Sequence, residues 1–144
     1  MLCLDVNVLV DAFRPDAPTH EPVRAWLDAA RSGPEPIALL PEVAAAFVRV
    51  CTNRRIWRVP SPSADALGFV SALAASPAVA WHRPGPRHWS MFVGLVADLN
   101  LSGDDVPDAY LAAAAIDLGT TFVTSDRGFT RFRALPLRPP ALSA

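Results

Sequence analysis

The apolar run Leu2 to Val10 constrains the fold of this chain more than any other stretch. It is rich in β-branched residues and contains one acid, Asp5, and one amide, Asn7. A run this short, followed by polar residues, predicts a buried strand that passes into a helix. Asp5 then lies at the end of the strand, where an ionised carboxylate is costly unless it is paired, hydrogen-bonded or bound to a cation. Its candidate partners are backbone amides, an arginine and a metal ion.

Short apolar segments alternate with amphipathic helices along the rest of the chain. This alternation predicts an α/β fold with three layers, α/β/α, around a central and mainly parallel sheet. The further strands are predicted at residues 36–40, 77–82, 121–124 and 135–137, and the helices at 19–30, 41–51, 63–73, 88–99 and 106–118. In the helix at 88–99, the side chains predicted to face inward are Trp89, Phe92, Val93 and Val96.

Length and cysteine content limit the class of protein. A chain of 144 residues fits one domain spanning 1–144, in which a Pro-rich tail begins at about residue 138. No apolar window reaches the roughly 18 residues that a membrane span requires. The two cysteines, Cys3 and Cys51, lack a CxxC spacing. We therefore expect a soluble, cytoplasmic protein with free thiols and no membrane partner.

The charge pattern excludes several functions. A formal net charge of -1 is not that of a uniformly basic nucleic-acid-binding protein, so only a local patch could contact nucleic acid. All 13 basic residues are arginines, which excludes Schiff-base chemistry and the lysine of a P-loop. Arginine suits bidentate phosphate contacts, although a biased genome would produce the same usage.

Four carboxylates are predicted at junctions between strands and helices. Asp5, Glu42 and Asp126 each follow a strand, and Asp108 lies in the first turn of a helix. Because the carboxyl ends of parallel strands share one edge of the sheet, and helix starts lie at the same edge, we expect these acids to converge. Like charges gathered there repel one another unless a divalent cation neutralises them, and carboxylate oxygens are ligands that Mg²⁺ or Mn²⁺ prefers.

Each acid also has a purely structural interpretation. Asp5 or Asn7 could cap the first helix, and Asp126 could begin a tight turn. Glu42 and Asp108 could simply favour the positive N-terminal ends of their helices. Taken singly, the structural interpretation is favoured for each acid. Taken together, with Asp5 inside an apolar run, the set favours a metal site.

Four motifs resemble those of a known family. In chain order, they resemble the motifs of PIN-domain ribonucleases, and more closely those of the VapC-type toxins of VapBC toxin-antitoxin pairs. The resemblance extends from residue 2 to about residue 137 and implies a single PIN-like domain. The motifs are Leu4-Asp5-Val6-Asn7-Val8-Leu9-Val10, Pro41-Glu42-Val43, Pro107-Asp108-Ala109 and Thr124-Ser125-Asp126-Arg127-Gly128-Phe129.

The resemblance implies a divalent-metal-dependent endoribonuclease that hydrolyses RNA phosphodiesters with metal-activated water. Asp5 and Asp108 would hold Mg²⁺ (or Mn²⁺) directly, and Asn7 and Ser125 would support them. The catalytic quartet that the resemblance implies is Asp5, Glu42, Asp108 and Asp126.

Other residues near the motifs have smaller predicted roles. Asp104 and Asp105 are rivals of Asp108, whose Pro-Asp-Ala setting matches the family better. This chemistry needs neither a covalent nucleophile nor a histidine. The histidines expected at surface or boundary positions are His20, His82 and His88.

Three partners are expected. Acids that bind metal also repel RNA, so arginines must supply affinity for a single-stranded region of a structured RNA. Arg127 and Arg131 are the best placed, and a second basic strip consists of Arg54, Arg55 and Arg58. The resemblance adds a second copy of the chain, in a homodimer, and a cognate VapB-type antitoxin whose C-terminal segment lies in a groove near the acids.

Two alternative functions remain beside the ribonuclease. A non-catalytic PIN-fold RNA-binding module would predict that one of the four acids is replaced, and all four are present. A haloacid-dehalogenase-like phosphatase is less compatible, because its second acid would be Asn7 and because its supporting lysine cannot exist in a chain without lysine.

Overall fold

A five-stranded sheet forms the centre of the computed structural model, which describes residues 1–141. The strand order is β3-β2-β1-β4-β5, and all neighbouring strands pair in parallel. The prediction of a mainly parallel sheet is therefore confirmed in a stricter form. The strands are Leu2–Leu4 (β1), Ile37–Leu39 (β2), Val79–Trp81 (β3), Thr121–Val123 (β4) and Leu137–Arg138 (β5).

Helices pack on the sheet in two groups. The helices are Val6–Phe13 (α1), His20–Ala30 (α2), Pro41–Cys51 (α3), Ser63–Ala74 (α4), His88–Asp98 (α5) and Val106–Asp117 (α6). α1 packs with α2 and α3, α3 packs with α4, and α5 packs with α6. The connections from β1 to β3 move along the sheet in one direction, and the connection to β4 returns. Right-handed crossovers therefore place the two groups on opposite faces, which confirms the three-layer α/β/α fold.

Local sequence signals fix where several of the helices begin and end. Asp5 is the N-cap residue of α1, and prolines occupy the first turns of α3 and α6. Proline suits this position because its missing N–H would have no partner within the helix. Gly119 follows α6 with φ 67°, a left-handed conformation that glycine adopts without steric cost.

The core contains both cysteines. Cys3 in β1 and Cys51 at the end of α3 are fully buried free thiols. Burial raises the pKa of Cys3 to about 12 and the pKa of Cys51 to about 11. Both side chains are therefore neutral core residues at physiological pH, in agreement with the expected free thiols.

The face of α5 that points inward is displaced by about one residue from the face that the sequence predicted. Trp89 is 66% exposed and Val93 is 48% exposed, whereas His88 is buried, so the expected surface or boundary position of His88 was also wrong. The His88 Nε2 atom lies 2.9 Å from the backbone oxygen of Tyr110 on α6. The face that packs on α6 and the core follows the spacing His88, Phe92, Leu95 and Val96. Since most side chains of this helix are apolar, the sequence pattern did not distinguish the two faces.

The end of the chain also differs from the prediction. The last strand is Leu137–Arg138 rather than 135–137, and Leu135 packs in the core instead. In the Pro-rich tail, Pro140 is buried, so the described part of the tail is not uniformly exposed. The predicted tail continues into residues 142–144, which lie outside the described range. Among residues 1–141, no helix has the length and apolar character needed to cross a bilayer.

Candidate active site

The candidate site lies where the strand order reverses. β1 and β4 are neighbours in the sheet, but the chain leaves them in opposite directions, toward β2 and β5. Ligands in parallel α/β sheets bind beyond the carboxyl ends of strands at such a point. A cavity of about 780 Å³ opens there, and it is lined by all four predicted acids, Asp5, Glu42, Asp108 and Asp126.

Asp5 is buried and hydrogen-bonded by the protein itself. Its Oδ1 accepts a hydrogen bond from the backbone N–H of Val6 at 2.7 Å. Its Oδ2 accepts from Thr124 Oγ1 at 2.6 Å and from Asn7 Nδ2 at 2.9 Å. Burial nevertheless raises the pKa of Asp5 to about 6, while the bonds from Thr124 and Val6 oppose this rise. The donors that satisfy Asp5 are thus an amide, a hydroxyl and a backbone N–H, and not an arginine.

Thr124 is a candidate site residue that the sequence analysis missed. Its Oγ1 donates to Asp5 and accepts hydrogen bonds from Asn7 Nδ2 at 3.1 Å and from the backbone N–H of Asp126 at 3.0 Å. Ser125, the predicted supporting residue, contributes a backbone N–H to Asn7 Oδ1 at 3.3 Å. The strand register could have identified Thr124, since Leu4 pairs with Val123 and the next residues are therefore Asp5 and Thr124.

Asp126 also has the structural role that was considered for it. Its Oδ1 accepts a hydrogen bond from the backbone N–H of Gly128 at 2.7 Å, and Asp126 is the N-cap of the 3₁₀ turn Arg127–Arg131. The turn aims this acid into the cavity beside Asp5, because Asp126 also donates its own N–H to Thr124. A structural role and a place in the cavity therefore coexist in the same residue.

Glu42 differs from Asp5 in that part of its carboxylate has no protein partner. Glu42 lies in the first turn of α3, and its Oε2 is buried without a hydrogen bond from the described residues. A buried carboxylate oxygen without a donor is destabilising. The pKa of Tyr110, which lines the same cavity, is raised by burial and by the negative charge of Glu42.

Asp108 is paired with an arginine of the same chain. Its Oδ2 accepts a hydrogen bond from Arg131 Nη2 at 2.9 Å, and Arg131 Nη1 lies 3.3 Å from Asp105 Oδ1. Burial raises the pKa of Asp108 and Arg131 opposes this rise, while Asp126 and Asp105 add to it. Asp105 immediately precedes α6 but forms no side-chain cap bond.

The four acids have the chemistry that a hard divalent cation requires, although their side chains do not yet converge closely enough to coordinate one. No three His, Cys, Asp or Glu side chains of residues 1–141 stand in an arrangement that could hold an ion as they are placed. The donor set consists of carboxylate oxygens, which Mg²⁺ and Mn²⁺ prefer. The buried, unpartnered Glu42 Oε2 supplies an oxygen for which the protein offers no donor.

The basic residues are distributed unevenly around the cavity. Arg127 is exposed and forms no ion pair with the described residues, whereas Arg131 is held by two acids. The strip at residues 54–58 follows the C-terminal end of α3, away from Glu42 in its first turn. Arg49, which the sequence analysis missed, is exposed and lines the cavity. Helical spacing could have found it, because Arg49 lies two turns after Glu42 on α3.

Comparison with known proteins identifies the family. The sequence matches the PIN domain family over residues 2–135. It is 46% identical over 140 residues to Ribonuclease VapC43 of Mycobacterium tuberculosis, which covers 97% of this chain and 95% of that protein. It is 43% identical over 141 residues to Ribonuclease VapC31 of the same organism, with 97% and 99% covered. Both relatives are similar along almost their whole length.

Solved structures share the fold. VapBC2 from Rickettsia felis, bound to a DNA fragment from its promoter, aligns with a TM-score of 0.69 and 17% identity over 96% of this chain and 97% of that chain. Mycobacterium tuberculosis VapC20, described as a Sarcin-Ricin loop cleaving toxin, aligns with a TM-score of 0.70 and 14% identity over 96% and 100%. The resemblance drawn from the four motifs is confirmed, and the phosphatase alternative has no support. The chain therefore belongs to the PIN-domain family, among its VapC ribonucleases.

Proposed function

We propose that this chain cleaves RNA internally with a divalent cation, Mg²⁺ or Mn²⁺, and that it is the toxin component of a type II toxin-antitoxin pair. The observation that carries the proposal is the gathering of four carboxylates on one cavity at the edge of the sheet. The arrangement is costly in itself, because burial and the charges of Asp108 and Asp126 raise the pKa of Asp5. A bound cation offsets that cost, because its positive charge stabilises the ionised carboxylates, and the same cation serves in the cleavage reaction.

In this proposal, Asp5 and Asp108 hold the cation directly, and Glu42 and Asp126 complete its surroundings, partly through water. When bound, the cation supplies the positive charge that makes a water molecule nucleophilic near neutral pH and stabilises the phosphate under attack. Asn7 and Thr124 fix the orientation of the Asp5 carboxylate through their hydrogen bonds to Oδ2. Ser125 acts through its backbone N–H, which orients Asn7.

Arginines at the cavity provide the affinity for RNA. We assign phosphate contacts to Arg127, which follows Asp126, and to Arg131 when it is released from Asp108. Arg49 adds a third positive charge on the α3 side of the cavity. Such contacts favour a single-stranded segment of a structured RNA, whose backbone can enter a narrow site that a duplex cannot. RNA and the free thiols of Cys3 and Cys51 both agree with a cytoplasmic protein.

Two protein partners complete the proposal. Apolar side chains of α1 and α3, among them Val10, Ala46 and Val50, line the cavity beside the acids. This channel suits an amphipathic segment of a VapB-type antitoxin that carries a basic side chain toward the acids. The homodimer is supported by Trp89 and Val93, which form an exposed apolar pair one turn apart on α5.

The activity is tested with a synthetic RNA stem-loop and the purified chain. With Mn²⁺, we expect cleavage in the loop and products with 5′-phosphate ends. EDTA should stop the reaction, and Asp5→Asn should slow it by more than about 100-fold, since residues that only support a metal ligand already change activity by 10 to 100-fold. A matched control is Asp65→Asn, which changes an exposed acid on α4, outside the cavity.

Three outcomes would count against the proposal. Cleavage that persists in EDTA would exclude the cation, and cleavage unaffected by Asp5→Asn would exclude the assigned site. Retention of RNA on the protein without any cleavage in Mn²⁺ or Mg²⁺ would favour the non-catalytic RNA-binding module instead.

A further inference from the structure

Arg131 lies in an unusual position for a residue that contacts RNA. Its Nη2 donates to Asp108 Oδ2 at 2.9 Å, and its Nη1 lies 3.3 Å from Asp105 Oδ1, so that one guanidinium bridges two acids. The guanidinium lies over the Phe132 ring, with its central carbon 5.0 Å from the ring centre. The side chain is 28% exposed, so it is mostly shielded from solvent but still accessible to it.

The same contact occupies an oxygen that the proposed cation needs. A guanidinium and a divalent cation that meet at one carboxylate repel each other, so the presence of one weakens the binding of the other. Asp108 is also the acid with an arginine partner within the quartet, since the donors to Asp5 and Asp126 are neutral. Arg131 therefore affects cation binding through Asp108 in particular.

The ion pairs that hold Arg131 are weak enough to be broken and replaced by other contacts. Ion pairs that remain partly exposed, as these are, contribute little to stability because water and salt compete with them. The side chain of Asp105, the second acid that pairs with Arg131, is 57% exposed. In addition, Arg131 Nε is buried without a partner from the described residues, which disfavours this placement of the guanidinium.

We propose that Arg131 is an exchangeable counter-ion of the active site. It neutralises Asp108 and Asp105 until a divalent cation takes its place at Asp108, and the released guanidinium then contacts an RNA phosphate. This inference rests on the proposed function, because it assigns Asp108 to the cation. Arg131 is thus a positioning residue that lowers cation affinity and couples cation binding to RNA binding.

The expected signs follow from this competition. Without Arg131, Asp108 is free to bind the cation, so Mn²⁺ should bind about 3 to 10-fold more tightly, the range expected for the loss of one partly screened charge near the site. RNA should bind more weakly, which raises KM more than it lowers kcat. An arginine that only stabilised the turn would lower stability without tightening Mn²⁺ binding.

The test is a Mn²⁺ titration by calorimetry of the wild-type chain and three variants. Arg131→Met removes the charge but retains an aliphatic stem over Phe132, and Arg131→Lys retains the charge. The control is Arg133→Met, which removes an exposed arginine from the same segment. We expect tighter Mn²⁺ binding by Arg131→Met alone, with near wild-type affinity in Arg131→Lys and Arg133→Met. If Arg131→Met does not fold, Arg131→Gln replaces it, with the same expectation.

The failure of this inference can be distinguished from the failure of the proposed function. Equal or weaker Mn²⁺ binding by Arg131→Met or Arg131→Gln, in a chain whose binding is lost in Asp5→Asn, overturns the role of Arg131 and leaves the metal site intact. Mn²⁺ binding that Asp5→Asn and Asp108→Asn do not weaken overturns both.

Discussion

The acidic edge of the sheet has two halves that the protein holds in different ways. In the half beyond β1 and β4, Asp5 and Asp126 accept hydrogen bonds from neutral donors that lie just after the ends of these two strands. In the half formed by the first turns of α3 and α6, Glu42 has a buried oxygen without a partner, and Asp108 is paired with Arg131. The first half is satisfied by neutral hydrogen-bond donors, whereas in the second half one acid has an oxygen without a donor and the other is paired with a charge that can be replaced.

This difference suggests how a metal site can exist without unfolding the protein when no metal is bound. A rigid half keeps one ligand in position, whereas the exchangeable half tolerates both an arginine and a cation. Four acids fixed as Asp5 is fixed would each carry a raised pKa and a stability cost. The two halves can be compared by measuring the free energy of unfolding of variants in which one acid, or one of its hydrogen-bond donors, is replaced.

The largest expected effect on stability is the pH dependence that Asp5 causes. Its pKa is raised from 3.8 to about 6 in the folded chain, so the folded state binds the proton more tightly than the unfolded state. Stability is therefore highest below about pH 4 with respect to this group and is lost as the pH rises to about 6. The loss is about 3 kcal/mol, and it stays constant at higher pH.

Urea denaturation in EDTA measures this effect. The free energy of unfolding of Asp5→Asn, relative to that of the wild type, should increase by about 2 to 2.5 kcal/mol between pH 4 and pH 7.5, because a small part of the loss has already occurred at pH 4. A difference that does not change over this range would mean that Asp5 is not protonated more readily in the folded state.

The next effect concerns the hydroxyl that joins the two strands of the rigid half. Thr124→Val keeps the shape of the side chain but removes the donor to Asp5 Oδ2 and the acceptor for Asp126 N–H. We expect a loss of about 1 to 3 kcal/mol in stability and a loss of about 10 to 100-fold in RNA cleavage.

Ser125→Ala is the matched control for Thr124→Val, because Ser125 contributes its backbone N–H to the site. Cleavage and stability should remain close to wild type in this variant. If Ser125→Ala lost as much activity as Thr124→Val, the serine hydroxyl would be the supporting group, as the sequence alone had suggested.

The smallest effect is expected in the exchangeable half. Glu42→Gln replaces the carboxylate, whose Oε2 accepts no hydrogen bond, by a neutral amide of the same shape. In EDTA, the free energy of unfolding should change by less than about 1 kcal/mol, because no hydrogen bond of Oε2 is lost. A loss as large as that of Thr124→Val would show that Glu42 is satisfied by the protein after all and would remove the contrast between the halves.

The sequence predicted the edge on which the acids meet but not the contacts among them. Asp5 and Glu42 could be placed because a strand that passes into a helix puts the intervening acid at the carboxyl edge of a parallel sheet. The pairing of Asp108 with Arg131 could not be placed, since it joins residues 23 positions apart through flexible side chains.

The other missed features have similar causes. Thr124 and Ser125 are adjacent hydroxyl residues, and only the register of β4 beside β1 decides which one faces Asp5. In α5, Trp89 and Val93 are as apolar as the residues that are buried, so the hydrophobic pattern alone gave the wrong face. In both cases the deciding information is a neighbouring element, and not the local sequence.

The most direct test of the central claim, that the four acids form a divalent cation site, is anomalous X-ray diffraction from crystals of the chain soaked in Mn²⁺. We expect an anomalous peak in the cavity, in contact with Asp5 and Asp108, together with an Arg131 side chain that has left Asp108. A structure with Mn²⁺ bound elsewhere, or with no peak beside Asp5 at a Mn²⁺ concentration that supports cleavage, would contradict it.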